Sequence, residues 1–254
     1  MTTASPKLRL KMRIAYDGRL FRGWQSQATK DAVQDHMEAA FTSTLGERIV
    51  VHGSGRTDAG VHALAQIAHA DVPLERVKFK SWRGALNNFL PPEIRVLRVT
   101  KASQDFHARF SAKGKIYTYR MWNEHFMHPL EIGRAWHMPM TLDLDLLQKG
   151  MRLLEGKHDF GGFAANRAPG YAAEDTVRTI REIKLTKRGE LLSLRFEGDG
   201  FLYRMVRLLT GTLVRCAQGR AELSFIEELL AAKGKRKTSF AAPAEGLYLT
   251  RVLY

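Results

Sequence analysis

The chain has 254 residues, 44% hydrophobic and 26% charged, the balance of a globular protein able to bury one large core or two ordinary ones. Its 40 Lys and Arg against 26 Asp and Glu give a net charge of +14, which points to a polyanionic partner, nucleic acid ahead of an anionic membrane. The single cysteine, Cys216, excludes an intrachain disulfide framework and a cysteine-rich zinc site; with no apolar run near the ~20 residues of a membrane span and no signal-peptide layout, a reducing, cytoplasmic setting is expected.

Residues 7–16 alternate strictly, with Leu8, Leu10, Met12, Ile14 and Tyr16 on one face and Lys7, Arg9, Lys11 and Arg13 on the other, which predicts a strand with a basic face. Asp17-Gly18 turns the chain, and Phe21-Arg22-Gly23-Trp24-Gln25 follows as a loop whose aromatics serve either as core anchors or as a base-stacking platform. From Asp31 the period lengthens: Val33, Met37, Ala40, Phe41, Thr44 and Leu45 share one side of a helix that Gly46 stops. Residues 48–52 read as a strand entering a glycine-rich loop and residues 63–72 as a strand leaving it. Trp82, Ala85, Leu86 and Phe89 mark a second helix ended by Pro91-Pro92, and residues 94–100 return as a strand.

Beyond a junction at 105–112 the order recurs. A strand over 115–122 is followed by a helix over 143–154 ended by Gly156, and strands over 177–186 and 191–197 are joined by a turn at Arg188-Gly189. Helices follow at 203–217 and 224–232, the latter opened by a capping box of Ser224 and Glu227, and residues 247–253 close as a strand. The first half is therefore β-α-β-β-α-β, the second repeats it in outline with one extra helix, and the fold class is α+β. Two ferredoxin-like halves, of the kind found in RRM-type RNA-binding sheets, would form adjacent mixed sheets with a central cleft. The expected domains are 1–104, carrying the glycine loop, and 105–254, completing the cleft. Residues 164–174 show no period and read as a mobile loop.

The glycine loop, Gly53-Ser54-Gly55-Arg56-Thr57-Asp58-Ala59-Gly60-Val61-His62, is the stretch most suited to chemistry. As a phosphate cradle it fails, since neither the dinucleotide fingerprint nor the Walker spacing is present. His52, His62, His69 and Asp58 match no metal-ligand spacing, so structural or surface histidines are expected. What remains is Asp58 as a nucleophile or acid/base, kept ionised by the nearby Arg56, or else an ordinary salt-bridged loop carboxylate. Arg204, Arg207 and Arg215 fall on one helical face with Gly211, a face suited to following a phosphate backbone or simply to being solvated. Lys233-Gly234-Lys235-Arg236-Lys237 presents the same two readings.

Residues 55–62, Gly-Arg-Thr-Asp-Ala-Gly-Val-His, resemble the signature of the TruA-type tRNA pseudouridine synthases, and four further landmarks of that family follow in register. They are Tyr16-Asp17-Gly18 with Phe21-x-Gly23-Trp24-Gln25; Phe106-His107-Ala108-Arg109-Phe110-Ser111-Ala112 with Tyr117 beyond it; Phe201 with Met205-Val206-Arg207; and Glu245-Gly246-Leu247-Tyr248-Leu249. The resemblance implies the pseudouridine synthase fold and the isomerisation of uridine to pseudouridine in tRNA, without cofactor or metal. It makes Asp58 the catalytic aspartate, by attack on ribose C1′, addition to the base, or assistance to a glycal. Tyr117 would stack on the base, Arg207 would align Asp58, and Arg56 would take the space of the extruded nucleotide. Arg109, His107, Arg204, Lys235 and Arg236 would bind RNA. The family's members of this type act as homodimers on the anticodon stem-loop, commonly at about positions 38 to 40, in an RNA helix read by shape and phosphate contacts. The rival from another class is a non-catalytic RNA-binding or chaperone protein of the same fold, which would not demand Asp58, Tyr117 and Arg207 together.

Overall fold

A computed structural model describes residues 6–74, 81–165 and 175–254. The chain forms two compact α+β units, one of residues 1–112 with 249–254, the other of residues 113–248, where the sequence reading divided it at 104/105.

The first unit contains β1 (Lys7–Tyr16), α1 (Val33–Leu45), β2 (His52–Gly53), β3 (His62–Pro73), α2 (Trp82–Asn87) and β4 (Ile94–Lys101). Strand β1 lies between β4 and β3, antiparallel to both, with Lys11 opposite Thr100 on one side and His69 on the other, and β2 pairs antiparallel with β3. This is the β4-β1-β3-β2 order of a ferredoxin-like sheet. The alternation read in β1 is realised: Leu10, Met12 and Ile14 are buried, as are Met37 and Phe41 of α1, and Lys7 and Arg13 are exposed. Phe21 and Trp24 are core anchors, both buried.

Helix α1 starts where its first amides find loop carbonyls, Val33 N–H donating to Gly23 O and Gln34 N–H to Trp24 O, each at 3.0 Å. Its Glu38 explains why the strand expected over 48–52 shrinks to His52–Gly53. The buried Glu38 carboxylate accepts from Val51 N–H at 3.3 Å and from Arg48 Nη2 at 3.1 Å, so that the segment bonds to a side chain instead of a ladder.

The second unit contains β5 (Gly114–Trp122), β6 (Trp136–His137), α3 (Leu144–Leu154), β7 (Gly156–Asp159), β8 (Val177–Arg188), β9 (Leu191–Gly198), α4 (Met205–Ala217) and α5 (Ser224–Ala231). Strand β9 lies between β5 and β8, antiparallel to both, repeating the order of the corresponding strands of the first unit. The sheet is extended by β7, antiparallel to β8, and by β6, parallel to β5, two short strands the sequence did not announce. Asp143 caps α3, accepting from the Asp145 and Leu146 amides at 2.9 Å. The chain ends in β10 (Leu247–Leu253), which leaves the second unit at Tyr248 and lies beside β3 in the first.

Two expectations in this unit are corrected. Ser224 does not cap α5: Phe225 N–H and Ile226 N–H bond to Glu222 O and Leu223 O, so that the turn begins ahead of Ser224 and no side-chain cap forms. The arginine face of α4 is not an open stripe. Arg204 lies outside the helix, at its N-cap with φ 58°. A side chain at Gly211 would meet Phe240 O, and Thr212 Oγ1 bonds Thr238 Oγ1 at 3.0 Å, so residues 238–242 cover this face. Arg207 Nε donates to Ala242 O at 2.8 Å, and the Arg215 guanidinium lies 3.9 Å from the Phe240 ring. The expected mobile loop at 164–174 falls, beyond Ala165, outside the described residues.

Candidate active site

The loop between β2 and β3 is tied down from three directions. At its start Ser54 is fully buried and donates to Gln66 Oε1 at 2.6 Å, while Gln66 Nε2 donates to Gly55 O at 3.0 Å. Two polar side chains out of water satisfy each other and fix the loop's exit from the sheet. At its middle the Tyr16 hydroxyl and Thr57 Oγ1 are 2.8 Å apart, and Trp24 N–H donates to Thr57 O at 3.2 Å. Burial pushes the Tyr16 phenol well above its ordinary range, so it stays a neutral hydrogen-bonding group. At its end Gly60 N–H bonds to Phe21 O at 3.3 Å.

Asp58 opens a four-residue turn closed by Val61 N–H on Asp58 O at 3.1 Å, with Gly60 at φ 79° in the third position, where left-handed backbone is required. The half-buried carboxylate is thus carried by a turn whose geometry is set by main chain. Gly23, at φ 83°, passes so close that a Cβ there would lie 2.3 Å from Thr57 O and 3.0 Å from the Asp58 carbonyl carbon. Arg56 does not do what its spacing suggested: it is exposed and, among the described residues, forms no ion pair with Asp58.

The histidines of this unit act as structural groups. His62 Nδ1 accepts from Gly18 N–H at 3.1 Å, and the buried His69 accepts at Nδ1 from Ala108 N–H at 3.1 Å. Among the described residues no cluster of three or more His, Cys, Asp or Glu is placed to hold a metal ion. His69 stacks on His52, ring centroids 4.9 Å apart, and lies 4.6 Å from His107. Burial, then the neighbouring His107 and His52, then Arg9, lower its pKa from 6.5 to about 4, against a smaller opposing pull from Asp71. Lys11 faces it across β1.

A folded pKa below the unfolded one means that the unfolded chain binds the extra proton first. The stability from neutral His69 is therefore complete above pH 6.5 and is lost as the pH falls toward 4, about 3 kcal/mol in all. Urea unfolding at pH 7 and at pH 4.5 checks this: in His69→Gln the drop between the two is expected to be smaller than in wild type by roughly 2 kcal/mol. An equal drop would leave His69 without a part in acid sensitivity.

The second unit holds the remaining residues singled out from the sequence. Tyr117, on β5 opposite Phe196 of β9, is buried with its ring edge-on to Phe201 at 5.2 Å. Arg207 is half-buried in the first turns of α4, and Arg204 is exposed just before it. Lys235 and Arg236 are exposed after α5, but Arg236 is engaged by Glu228, with its guanidinium 5.0 Å from the Phe225 ring.

The family model described as tRNA pseudouridine synthase matches residues 12–111 and 151–254. The chain belongs to that family. It is 43% identical over 251 residues to the tRNA pseudouridine synthase A of Akkermansia muciniphila, covering 97% of this chain and 95% of the relative. The enzyme of that name from Geobacillus kaustophilus is also 43% identical, with 97% and 94% covered, and that from Acetivibrio thermocellus 36%, with 96% and 99% covered. The synthase is an isomerase that forms pseudouridine from uridine in tRNA. Among the described residues no helix is long and apolar enough to cross a membrane.

The motif residues of the loop, and Tyr16, Phe21 and Trp24 that hold it, were legible in the sequence, but other supporting groups were not. Gln66 and Ser54 left one signal, a glutamine inside an otherwise apolar strand. Tyr254, whose hydroxyl donates to Ala108 O at 2.7 Å and so fastens the 106–111 segment, left none.

Proposed function

We propose that the synthase acts on uridines of the tRNA anticodon stem-loop, at about positions 38 to 40, as a cytoplasmic homodimer with Asp58 as its catalytic carboxylate and no metal or cofactor. The reaction breaks the bond between ribose C1′ and N1 and forms one between C1′ and C5; the proton lost from C5 is balanced by one gained at N1. Asp58 serves the charge developing at C1′ or on the detached base, by whichever of the three routes the reaction runs. Tyr117 stacks on the base and assists in removing the C5 proton. Arg207 aligns Asp58, and Arg56 occupies the space left by the extruded nucleotide. Arg109, His107, Arg204, Lys235 and Arg236 hold the RNA.

The observation that carries this reading is a carboxylate on a turn fixed by main chain, its loop tied to β3, to Tyr16 and to residues 21–24, in a chain of this family. Such a support makes sense for a group that must meet a substrate atom at a fixed place. Chemical mapping of pseudouridine in tRNA transcripts, incubated with the purified protein in chelator, tests it. Pseudouridine at the anticodon stem-loop positions is expected. Pseudouridine confined to other positions, or formed only after metal is added, would overturn the assignment.

A further inference from the structure

The segment at residues 106–111 treats its two phenylalanines in opposite ways. Phe106 is packed: Lys11 Nζ lies 4.5 Å from its ring and 3.9 Å from that of Tyr254, and the two rings are 5.1 Å apart. Arg9 fastens the same stretch, pairing with Asp71 at 2.6 Å and donating to Phe106 O at 2.9 Å. Phe110, four residues on, is 76% exposed.

That exposure is imposed by the main chain. Six successive amides, from Phe106 to Ser111, all have acceptors. Phe106 N–H bonds to Ser103 O, His107 N–H to Ser111 Oγ, Ala108 N–H to His69 Nδ1, Arg109 and Phe110 N–H both to His107 Nδ1, and Ser111 N–H to His107 O. A segment so bonded does not rotate to bury its last ring. A single exposed apolar residue is ordinary. This one is different in its surroundings, with the His107 ring 4.3 Å away at 31° and the Arg109 guanidinium 5.6 Å from its centroid.

We propose that Phe110, backed by His107 and flanked by Arg109, is a stacking site for an unpaired nucleobase of the bound tRNA. An aromatic face beside a guanidinium is the chemistry that accepts any base, and the excess of cations on the chain favours a polyanion over a protein partner. The site is continuous with the Asp58 loop, since His107 lies 5.9 Å from His52, the residue before Gly53. Seven residues of β3, roughly 20 Å, separate His69 from His62 at the loop's far end. In this reading the nucleobase held at Phe110 is distinct from the uridine that meets Asp58. This inference rests on tRNA as the substrate, not on which uridine is the target.

Equilibrium tRNA binding by Phe110→Ala, Phe110→Trp and Arg109→Ala tests it. Phe110→Ala is expected to weaken binding about tenfold with an unchanged slope against salt, Arg109→Ala to lower that slope by about one, and Phe110→Trp to keep wild-type affinity. Stacking in Phe110→Trp would quench emission beyond that of the four native tryptophans. The proposal fails if Phe110→Ala binds as wild type does, if the new tryptophan is not quenched, or if Phe110→Ala changes only the sedimentation of the protein, which would make the ring a contact between copies. A wild-type enzyme that modifies other uridines would refute the anticodon assignment and leave these binding results to stand by themselves.

Discussion

Asp58→Asn is expected to lower the rate of pseudouridine formation by about 10³-fold or more while tRNA binding stays within about twofold of wild type. The separation follows from how the residue is carried. The turn at 58–61 is closed by the Asp58 carbonyl, and the loop is held by Ser54, Thr57 and Gly60, none of which the substitution touches. Asparagine preserves the shape and hydrogen-bonding reach of the side chain and removes its negative charge, so what is lost is the group that meets developing positive charge or acts as nucleophile. Single-turnover assays with saturating enzyme read the chemical step, and filter binding reads affinity. Equal turnover in the two proteins would remove Asp58 from the reaction. Equal losses in both measurements would make it a binding residue instead.

Gly23→Ala is expected to cost about 3 kcal/mol of stability and to remove activity, although residue 23 touches no substrate in the proposed mechanism. Two costs add. The backbone at φ 83° disfavours any side chain, and the new methyl would sit 2.3 Å from Thr57 O, a main-chain atom with no rotamer to change. Relief requires the 57–58 backbone to move, which shifts Asp58 itself, and a displacement on the order of 1 Å is enough to cost ~10² in rate. Gly84→Ala is the matched control. It lies inside α2 with its nearest neighbour, Ser81 Oγ, at 3.8 Å, so alanine there should be neutral or stabilising by about 0.5 kcal/mol. Thermal unfolding should place the first variant roughly 10 °C below the second. Coincident transitions would show that the loop yields to the methyl without strain.

How far the sequence was readable depended on where each segment's hydrogen bonds go. Strand β1 and helix α1 were legible because their apolar period is also their burial pattern, and their amides are satisfied within the element or along a neighbouring strand. Residues 48–52 have the composition of a strand, yet Val51 N–H is taken by Glu38, thirteen residues back on α1, which no local pattern announces. The face of Arg204, Arg207 and Arg215 misled for a similar reason: spacing places side chains around an axis but does not reveal that residues 238–242 lie across it. In the site, the motif made Asp58 conspicuous, while the pair of Arg56 and Asp58, plausible at two residues' spacing, is absent among the described residues. The histidines at 52, 69 and 107 are scattered in sequence and meet only because β2 pairs with β3 and residues 106–108 pack on it.

The route of the chain between its units carries a consequence for biosynthesis. The first unit is interrupted after residue 112 and resumes at Leu249, so 136 residues, 113 to 248, are made before its last strand exists. At ribosomal speeds of about 5–20 residues per second, β3 then waits on the order of 10 s for β10, and Ala108 as long for the hydroxyl of Tyr254. During that interval the nascent protein has its Asp58 loop but an unfinished sheet margin, a form suited to chaperone capture or to pairing with a neighbouring nascent chain. Polypeptides released before Leu249 would carry Asp58 without the strand that completes the first unit.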